Sequence, residues 1–174
     1  MDAVIRTERL TLRPFVEDDA DALFDIFRRP DVARWSGTGE PMTERDQAVQ
    51  RIGRFPTRAG DHPATGIWAV VDDDTDVCRG QLMLVPLPPS TGVDRADIEV
   101  GWHLHPDVWG RGYASEAATA LVERGFAAGF EELYAVTDPD NVRSQAVCRR
   151  LGMTDLGLHT EWYDQELRAF RLSR

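Results

Sequence analysis

The sequence contains no lysine, and this absence excludes one large class of phosphate-binding site. All 20 of its basic residues are arginine. A P-loop of the form GxxxxGK[ST] needs a lysine to reach the phosphates of a nucleotide. The chain also carries 30 acidic residues and a net charge of −10. This balance disfavours a general nucleic-acid binder, because such proteins must neutralise phosphates.

Cysteine and histidine are scarce as well. Cys78 and Cys148 lie far apart without CxxC spacing, which argues against a disulfide framework and a cysteine zinc site and predicts two small core residues. His103 and His105 would share one face of a strand, but no third donor lies nearby in the sequence. A metal site needs three or four donors, so no metal is expected.

Long apolar runs are absent too, since nowhere do about 18 apolar residues follow one another. The amino-terminal stretch 1–13 carries charges throughout, unlike a signal peptide. We therefore expect a cytosolic protein without a membrane span. A length of 174 residues, of which 42% are hydrophobic, predicts one domain covering residues 1–174.

The spacing of apolar residues predicts a mixed α+β fold. Strands are predicted at 5–15, 66–72, 79–87, 97–105, 132–138 and 166–173, and helices at 18–27, 43–56, 114–129 and 141–152, with loops at 31–43 and 86–96. The clearest strand is 97–105, where every second residue is apolar from Ile98 to Leu104. That alternation places Glu99 on the opposite face.

Two glycines flank an arginine at Gly110, Arg111 and Gly112, where a strand leads into a helix. A helix N-terminus presents unpaired backbone N–H groups and partial positive charge, so a bare turn there can hold a phosphate. The same glycines can equally serve an ordinary tight turn. A dinucleotide fingerprint, GxGxxG, would need a third glycine where Ser115 stands.

Three segments together indicate a family. "TERLTLRPFVEDDADALFDI", "IEVGWHLHPDVWGRGYASEAATALVERGF" and "DPDNVRSQAVCRRLGM" resemble the GNAT superfamily of N-acetyltransferases, and within it the RimJ/RimL-like type that acetylates ribosomal-protein N-termini. The resemblance runs through nearly the whole chain. It implies a central, mostly antiparallel twisted sheet flanked by helices, acetyl-CoA as co-substrate, and a primary amine as acceptor.

The resemblance also implies which residues hold acetyl-CoA. The family motif (Q/R)-x-x-G-x-(G/A) corresponds here to Trp109, Gly110, Arg111, Gly112, Tyr113 and Ala114, with Ser115 following. Trp109 departs from the motif at its first position. By resemblance, the amides of Gly110–Ser115 bind the pyrophosphate and the strand end at Leu104 and His105 lies along the pantetheine arm. Asn141 and Ser144 match an N-x-x-S pattern beside the thioester.

Acetyl transfer needs a neutral amine and a proton for the leaving thiolate. Glu99 matches the position from which many family members deprotonate the amine; its alternative is a hydrogen-bonded polar strand residue. An α-amine demands less of such a base, because about a tenth of it is neutral at pH 7, against well under a thousandth of lysine. We therefore expect a peptide or protein N-terminus ahead of polyamines, amino acids or aminoglycosides.

The proton donor is left open by the sequence. Many members carry a tyrosine where Cys148 stands, and Ser144, Cys148 or water could protonate the thiolate. Ser144 is favoured because its hydroxyl can donate, although Asn141 and Ser144 could simply cap a helix. Without that tyrosine, a non-catalytic acyl-CoA sensor stays an alternative, and sequence does not exclude another acyl group.

Aromatic residues are candidates for lining the acceptor cleft. Trp35, Trp162 and Tyr163 are predicted to contact the acceptor and Glu40 to recognise its amine, with core packing as the alternative for the aromatic residues. A homodimer is left open.

Overall fold

The computed structural model describes residues 3–37 and 39–174. Its strands are β1 Ile5–Arg6, β2 Leu10–Pro14, β3 Gly66–Asp72, β4 Val77–Leu87, β5 Asp97–Leu104, β6 Glu132–Thr137, β7 Thr154–His159 and β8 Leu167–Ser173. Its helices are α1 Ala20–Phe27, α2 Pro30–Ala33, α3 Arg45–Ala59, α4 Tyr113–Ala127 and α5 Val142–Arg150. This is the mixed α+β fold that the sequence predicts.

All eight strands form one sheet in the order β1-β2-β3-β4-β5-β6-β8-β7. Neighbours are antiparallel except β5 and β6, which run parallel. Within the described residues, β5 and β6 pair only at Glu99 and Tyr134. Each of these residues is the third of its strand, so the two strands separate towards their carboxyl ends.

Helices cover both faces of the sheet. On one face, α4 packs its buried stripe, which includes Ala117 and Leu121, against strand residues such as Leu82 and Val100. On the other face, α1 and α3 pack Leu23 and Phe55 near Val85 of β4. The apolar side of β5 therefore faces α4, and Glu99 faces α3, on the side that the alternation predicts.

Three elements differ from the sequence prediction. The predicted loop at 31–43 begins with a short helix, because Pro30 occupies the first helical turn, where a missing N–H costs nothing. Helix α3 runs past Pro56, and the buried side chains of Phe55 and Ala59 anchor this final part. Strand β7 was missed because its register shifts between Asp155 and Gly157, which interrupts the alternation.

The opening strand is also divided in two. Thr7 closes a turn between β1 and β2, with its backbone N–H donating to the carbonyl of Leu10 at 2.9 Å. Among the described residues, no helix is long and apolar enough to cross a membrane.

Candidate active site

The turn before α4 exposes main chain. Gly110 and Gly112 have φ of 75° and 85°, in the left-handed region that glycine adopts at little cost. Gly112 is the residue that caps α4. A Cβ added at Gly110 would meet no described atom within 4 Å. The N–H groups in the first turn of α4 have no acceptor within the helix, and no described atom covers Gly110 before them, as an anion site requires.

Side-chain hydrogen bonds, one buried and the others exposed, hold this turn in place. Tyr113 is buried, and its hydroxyl donates to Oδ2 of Asp72 at 2.7 Å. Arg9 donates from Nη1 to the carbonyl of Arg111 at 3.0 Å and pairs with Glu116 at 2.7 Å. The Tyr113 side chain is thus committed to the core, which leaves its amide as the group available to a cofactor.

Arginines surround the turn in spite of the negative net charge. Arg111 and Arg143 are exposed, and Arg143 lies over the ring of Trp109 at 4.7 Å. Arg150, also exposed, donates from Nε to Oγ of Ser115 at 3.1 Å. Three cations beside unpaired amides suit a ligand that carries several phosphate charges.

The carboxyl ends of β5 and β6 border the turn. The Trp109 indole N–H donates to the Leu104 carbonyl at 2.9 Å and so secures the end of β5. At the end of β6, Thr137 is buried, and its hydroxyl has no hydrogen-bond partner in the described part of the chain. Buried polar atoms are usually paired, so this hydroxyl marks the opening between the strands as a place for a polar ligand.

The side chain of His105, at the carboxyl end of β5, is held by hydrogen bonds within the protein. It is buried, its Nε2 lies 3.1 Å from Oδ2 of Asp25, and its Nδ1 accepts from the backbone N–H of Asp107 at 3.2 Å. Both ring nitrogens are therefore occupied, and Leu104 is buried beside it. Any contact of this pair with a cofactor would come from the backbone.

The start of α5 shows the capping arrangement. Asn141 Oδ1 accepts from the backbone N–H of Ser144 at 3.1 Å. The Ser144 hydroxyl makes no hydrogen bond with the described residues and is partly exposed, so it is free to donate. Cys148 is fully buried, and burial raises the pKa of its thiol to about 12. Of the two side chains, only Ser144 is accessible to a leaving thiolate.

Glu99 is buried beneath α3 and held by two donors. The Tyr163 hydroxyl donates to its Oε2 at 2.5 Å, and Arg58 Nη2 donates to the same oxygen at 3.1 Å. Burial raises the pKa of Glu99, against the opposing effect of Tyr163 and Arg58. The second oxygen, Oε1, accepts no hydrogen bond within the described chain and is not sealed from solvent. It is therefore the oxygen available to accept a proton.

The turn between β7 and β8 delivers Tyr163. Tyr163 and Asp164 have φ of 60° and 53°, a conformation that is unfavourable for a bulky residue. Contacts with the β4–β5 loop hold it, since the Tyr163 N–H donates to the Pro88 carbonyl at 3.1 Å and the Asp164 N–H to Ser90 Oγ at 2.9 Å. Strained backbone of this kind is common at functional sites.

The other predicted acceptor residues lie in different surroundings. Trp162 is only 1% exposed and donates from Nε1 to Asp97 at 2.9 Å; this leaves it no surface for an acceptor, against the prediction, and it packs beneath the Tyr163 turn. Glu40 is exposed. Trp35 lines a groove of about 220 Å³ that also includes Trp109, Asn141 and Arg143. This groove joins the early helical segment to the opening between β5 and β6.

The match to known proteins covers most of the chain. Residues 9–154 match the family described as the acetyltransferase (GNAT) domain. The chain belongs to the GNAT acetyltransferase family. It is thus an acyltransferase of the N-acetyltransferase type, and GNAT acetyltransferases use acetyl-CoA and act on an amine acceptor.

Relatives extend this similarity over the full length. The FsC-acetyl coenzyme A-N(2)-transacetylase of Aspergillus fumigatus is 30% identical over 164 residues, which cover 92% of this chain and 68% of that protein. An acetyltransferase structure from Agrobacterium tumefaciens superposes with a TM-score of 0.79 at 28% identity and covers 100% of this chain and 96% of that one. RimL, a ribosomal-protein alpha-N-acetyltransferase solved with coenzyme A, shares the fold at a TM-score of 0.78 and 16% identity, over 98% and 97% of the chains.

The residues of this GNAT domain fit acetyl-CoA. The first-turn amides of α4, the three arginines and the unpaired Thr137 hydroxyl provide donors for phosphates and for a polar arm. When bound, acetyl-CoA supplies an acyl carbon activated by its thioester. In the described residues, no group of three or more His, Cys, Asp or Glu side chains is arranged to hold a metal ion.

Sequence reasoning missed Arg58 as a partner of Glu99. The core-facing stripe of α3 comprises the buried Ala48, Phe55 and Ala59 and the half-buried Arg51, Ile52 and Arg58. Arg51 and Arg58 thus occupy core-facing positions of a helix, where arginine is rare unless it has a partner. Arginine at these two core-facing positions of the helical pattern could therefore have indicated that Arg51 and Arg58 have partners or ligands inside the fold.

Proposed function

We propose that this GNAT acetyltransferase transfers the acetyl group of acetyl-CoA to an α-amino group, with Glu99 as the general base. The observation that carries the proposal is the geometry of Glu99. Its Oε2 is held by Tyr163 and Arg58, and its Oε1 accepts no hydrogen bond from the described residues. A carboxylate fixed on one oxygen presents the other in a defined direction.

In the proposed step the attacking amine loses one proton and the leaving thiolate gains one. The amine nitrogen attacks the thioester carbonyl carbon and loses a proton to Glu99, directly or through water, while the C–S bond breaks. The Ser144 hydroxyl, which has no other partner among the described residues, hydrogen-bonds the leaving sulfur, with water as the alternative proton donor. The raised pKa of Glu99 makes it a stronger base than an ordinary carboxylate.

Two kinds of acceptor contain an α-amine. The fold shared with RimL supports a peptide or protein N-terminus, and the name of the Aspergillus fumigatus relative supports an amine of a small molecule. Both are compatible with a base of moderate strength, because an α-amine has a pKa of about 8, against about 10.4 for lysine.

Thiol release from acetyl-CoA tests the proposal. The panel contains short peptides with a free N-terminus, free amino acids, and N-α-acetyl-lysine, which offers only its ε-amine. We expect release with α-amine acceptors at neutral pH and much slower release with N-α-acetyl-lysine. Acetyl-CoA binding without release for any acceptor would instead identify a sensor, and preference for the ε-amine would contradict the assignment of the α-amine.

A further inference from the structure

Arg51 lies beneath the segment that carries Trp35. It projects from the core-facing stripe of α3, and its guanidinium lies 4.0 Å from the centre of the Phe27 ring. Its Nε donates to Oε1 of Gln81 at 3.1 Å, and its Nη2 lies 3.5 Å from Oγ of Ser36. The contacts of this cation are thus with neutral groups.

Arg51 pairs with no carboxylate within the described chain, although the sequence holds 30 acidic residues for 20 arginines. Two turns along the same helix face, Arg58 pairs with Glu99 at 3.1 Å. Burial without a counterion lowers the pKa of Arg51 to about 10, so it stays charged at neutral pH. Partial burial of a cation that lacks an anion carries a cost, and a ligand that supplies the anion would reduce this cost.

The free edge of the guanidinium has the geometry of a carboxylate site. Because Nε is used by Gln81, the two terminal nitrogens form the available edge, and Nη1 bonds to no described residue. Parallel N–H groups of this kind bind a carboxylate with two hydrogen bonds. Arg51 is only partly buried, which leaves the edge accessible.

A second polar group beside Arg51 also lacks a partner. His103 places Nε2 at 3.4 Å from the Trp35 carbonyl, while its Nδ1 is buried with no hydrogen bond to the described residues. Burial and, to a lesser extent, Arg51 lower the pKa of His103 to about 4. His103 is therefore neutral at pH 7 and supplies no negative charge to Arg51. Among the described residues the Arg51 guanidinium thus has only neutral neighbours, which leaves its positive charge without an anion.

This polar pair lies on the same face of the sheet as Glu99. In the register of β4 and β5, Gln81 pairs with His103 and Val85 pairs with Glu99. Four residues along a strand correspond to about 13 Å between Cα atoms. The Arg51 guanidinium beside Gln81 and the Glu99 carboxylate are thus close enough for one small molecule to contact both.

We infer that Arg51 binds a carboxylate of the acceptor, so that the acceptor is an amine bearing a carboxylate, such as a free amino acid. The inference rests on the proposed function and narrows it. Gln81, Ser36 and His103 hold and surround the guanidinium, and the amine of the same molecule reaches towards Glu99. The carboxylate then sets the orientation of the nitrogen.

Matched acceptors test this directly. The panel pairs amino acids with their carboxamides and varies the spacing with glycine, β-alanine and longer ω-amino acids. We expect kcat/KM for the best carboxylate to exceed that of its amide by about tenfold or more. In Arg51→Gln the ratio should fall to about one, and Arg51→Lys, which keeps the charge without the fork, should lie between them.

Arg54→Gln is the matched control, since Arg54 is exposed on the same helix and should leave the ratio unchanged. Turnover of amides as fast as carboxylates by the wild type would overturn the inference and leave the proposed function intact. So would an equal loss for both acceptors in Arg51→Gln.

A binding measurement keeps the test independent of turnover. The shift in melting temperature is recorded with each amino acid and with its amide, for the wild type and for Arg51→Lys and Arg51→Gln. We expect the carboxylates to raise the melting temperature of the wild type, with loss of the shift in Arg51→Gln. If no acceptor releases thiol, the shift in melting temperature still tests whether Arg51 binds a carboxylate. The absence of a shift with every carboxylate would overturn the inference.

Discussion

The turn at Gly110–Gly112 presents main-chain amides, whereas the site around Glu99 presents side chains that come from separate elements. Two glycines with positive φ and one helix N-terminus suffice for the turn. The Glu99 site needs Arg58 from α3, Glu99 from β5 and Tyr163 from the β7–β8 turn. A site built from backbone depends on local conformation, and a site built from side chains depends on the whole fold. Substitutions should therefore separate cofactor binding from chemistry.

The largest effect is expected at Glu99. Glu99→Gln keeps the shape and removes the base, so kcat should fall by roughly 10² to 10⁴-fold while acetyl-CoA affinity stays nearly unchanged. In the wild type, kcat/KM should fall as pH drops through the raised pKa of Glu99, and this acidic limb should be absent from the variant. Steady-state rates from pH 5 to 9 check both. A pH profile that does not change would remove Glu99 as the base.

Protonation of His103, on the same face of β5 as Glu99, should make the fold sensitive to acid. Its pKa of about 4 lies below the ordinary 6.5, so between these values the unfolded chain binds a proton that the folded chain does not. Stability should then fall as pH drops from 6.5 to 4, by about 3 kcal/mol in total at 1.36 kcal/mol per unit.

Denaturant unfolding at several pH values measures this loss. His103→Gln should show a smaller decline over the same range, because glutamine can donate to the Trp35 carbonyl without titrating. Identical slopes for the two proteins would show that His103 is not the responsible group.

A substitution in the Gly110–Gly112 turn should weaken coenzyme A binding, in contrast to Glu99→Gln, which should slow the chemical step. Gly112→Val places a side chain at the amides and strains a backbone with φ of 85°, so coenzyme A binding should weaken by about 100-fold, the loss of one or two charge-assisted hydrogen bonds. Isothermal titration gives the affinity. Gly129→Val is the control, since Gly129 has φ of 95° at the other end of α4 with no described atom near its Cβ. Equal losses in both variants would indicate strain rather than a blocked anion site.

The smallest effect is expected at Tyr163. Tyr163→Phe removes one donor to Glu99 Oε2, which further disfavours the ionised base, so kcat/KM at neutral pH should fall about tenfold, or roughly 1.4 kcal/mol. The acidic limb should move to higher pH. Tyr134→Phe removes a hydroxyl that donates to Glu132 instead and should leave the profile in place. A loss of rate without movement of the limb would contradict this positioning role.

The same contrast explains what the sequence could predict. The glycine turn, helix α4 and the face of Glu99 follow from local spacing, and the structure has all three. Arg58 and Tyr163 meet Glu99 from 41 and 64 residues away in the chain, and no local pattern encodes such a contact. Trp162 was assigned to the acceptor cleft because exposed and buried tryptophans look alike in sequence. The hydrogen bond from Trp162 to Asp97, which shows that Trp162 belongs to the core, is visible only in the folded structure.

The single pairing of β5 with β6 makes one seam in an otherwise continuous sheet. Strands β1–β5 lie on one side of the seam and β6–β8 on the other, so the backbone holds the two parts together weakly at this point. Acetyl-CoA bound at the proposed site would lie across the seam and stabilise the folded state, by about 2.7 kcal/mol at a concentration of 100 Kd. The amount of intact protein in a cell would then follow the supply of acetyl-CoA, and amide exchange in β6 would slow as that supply rises.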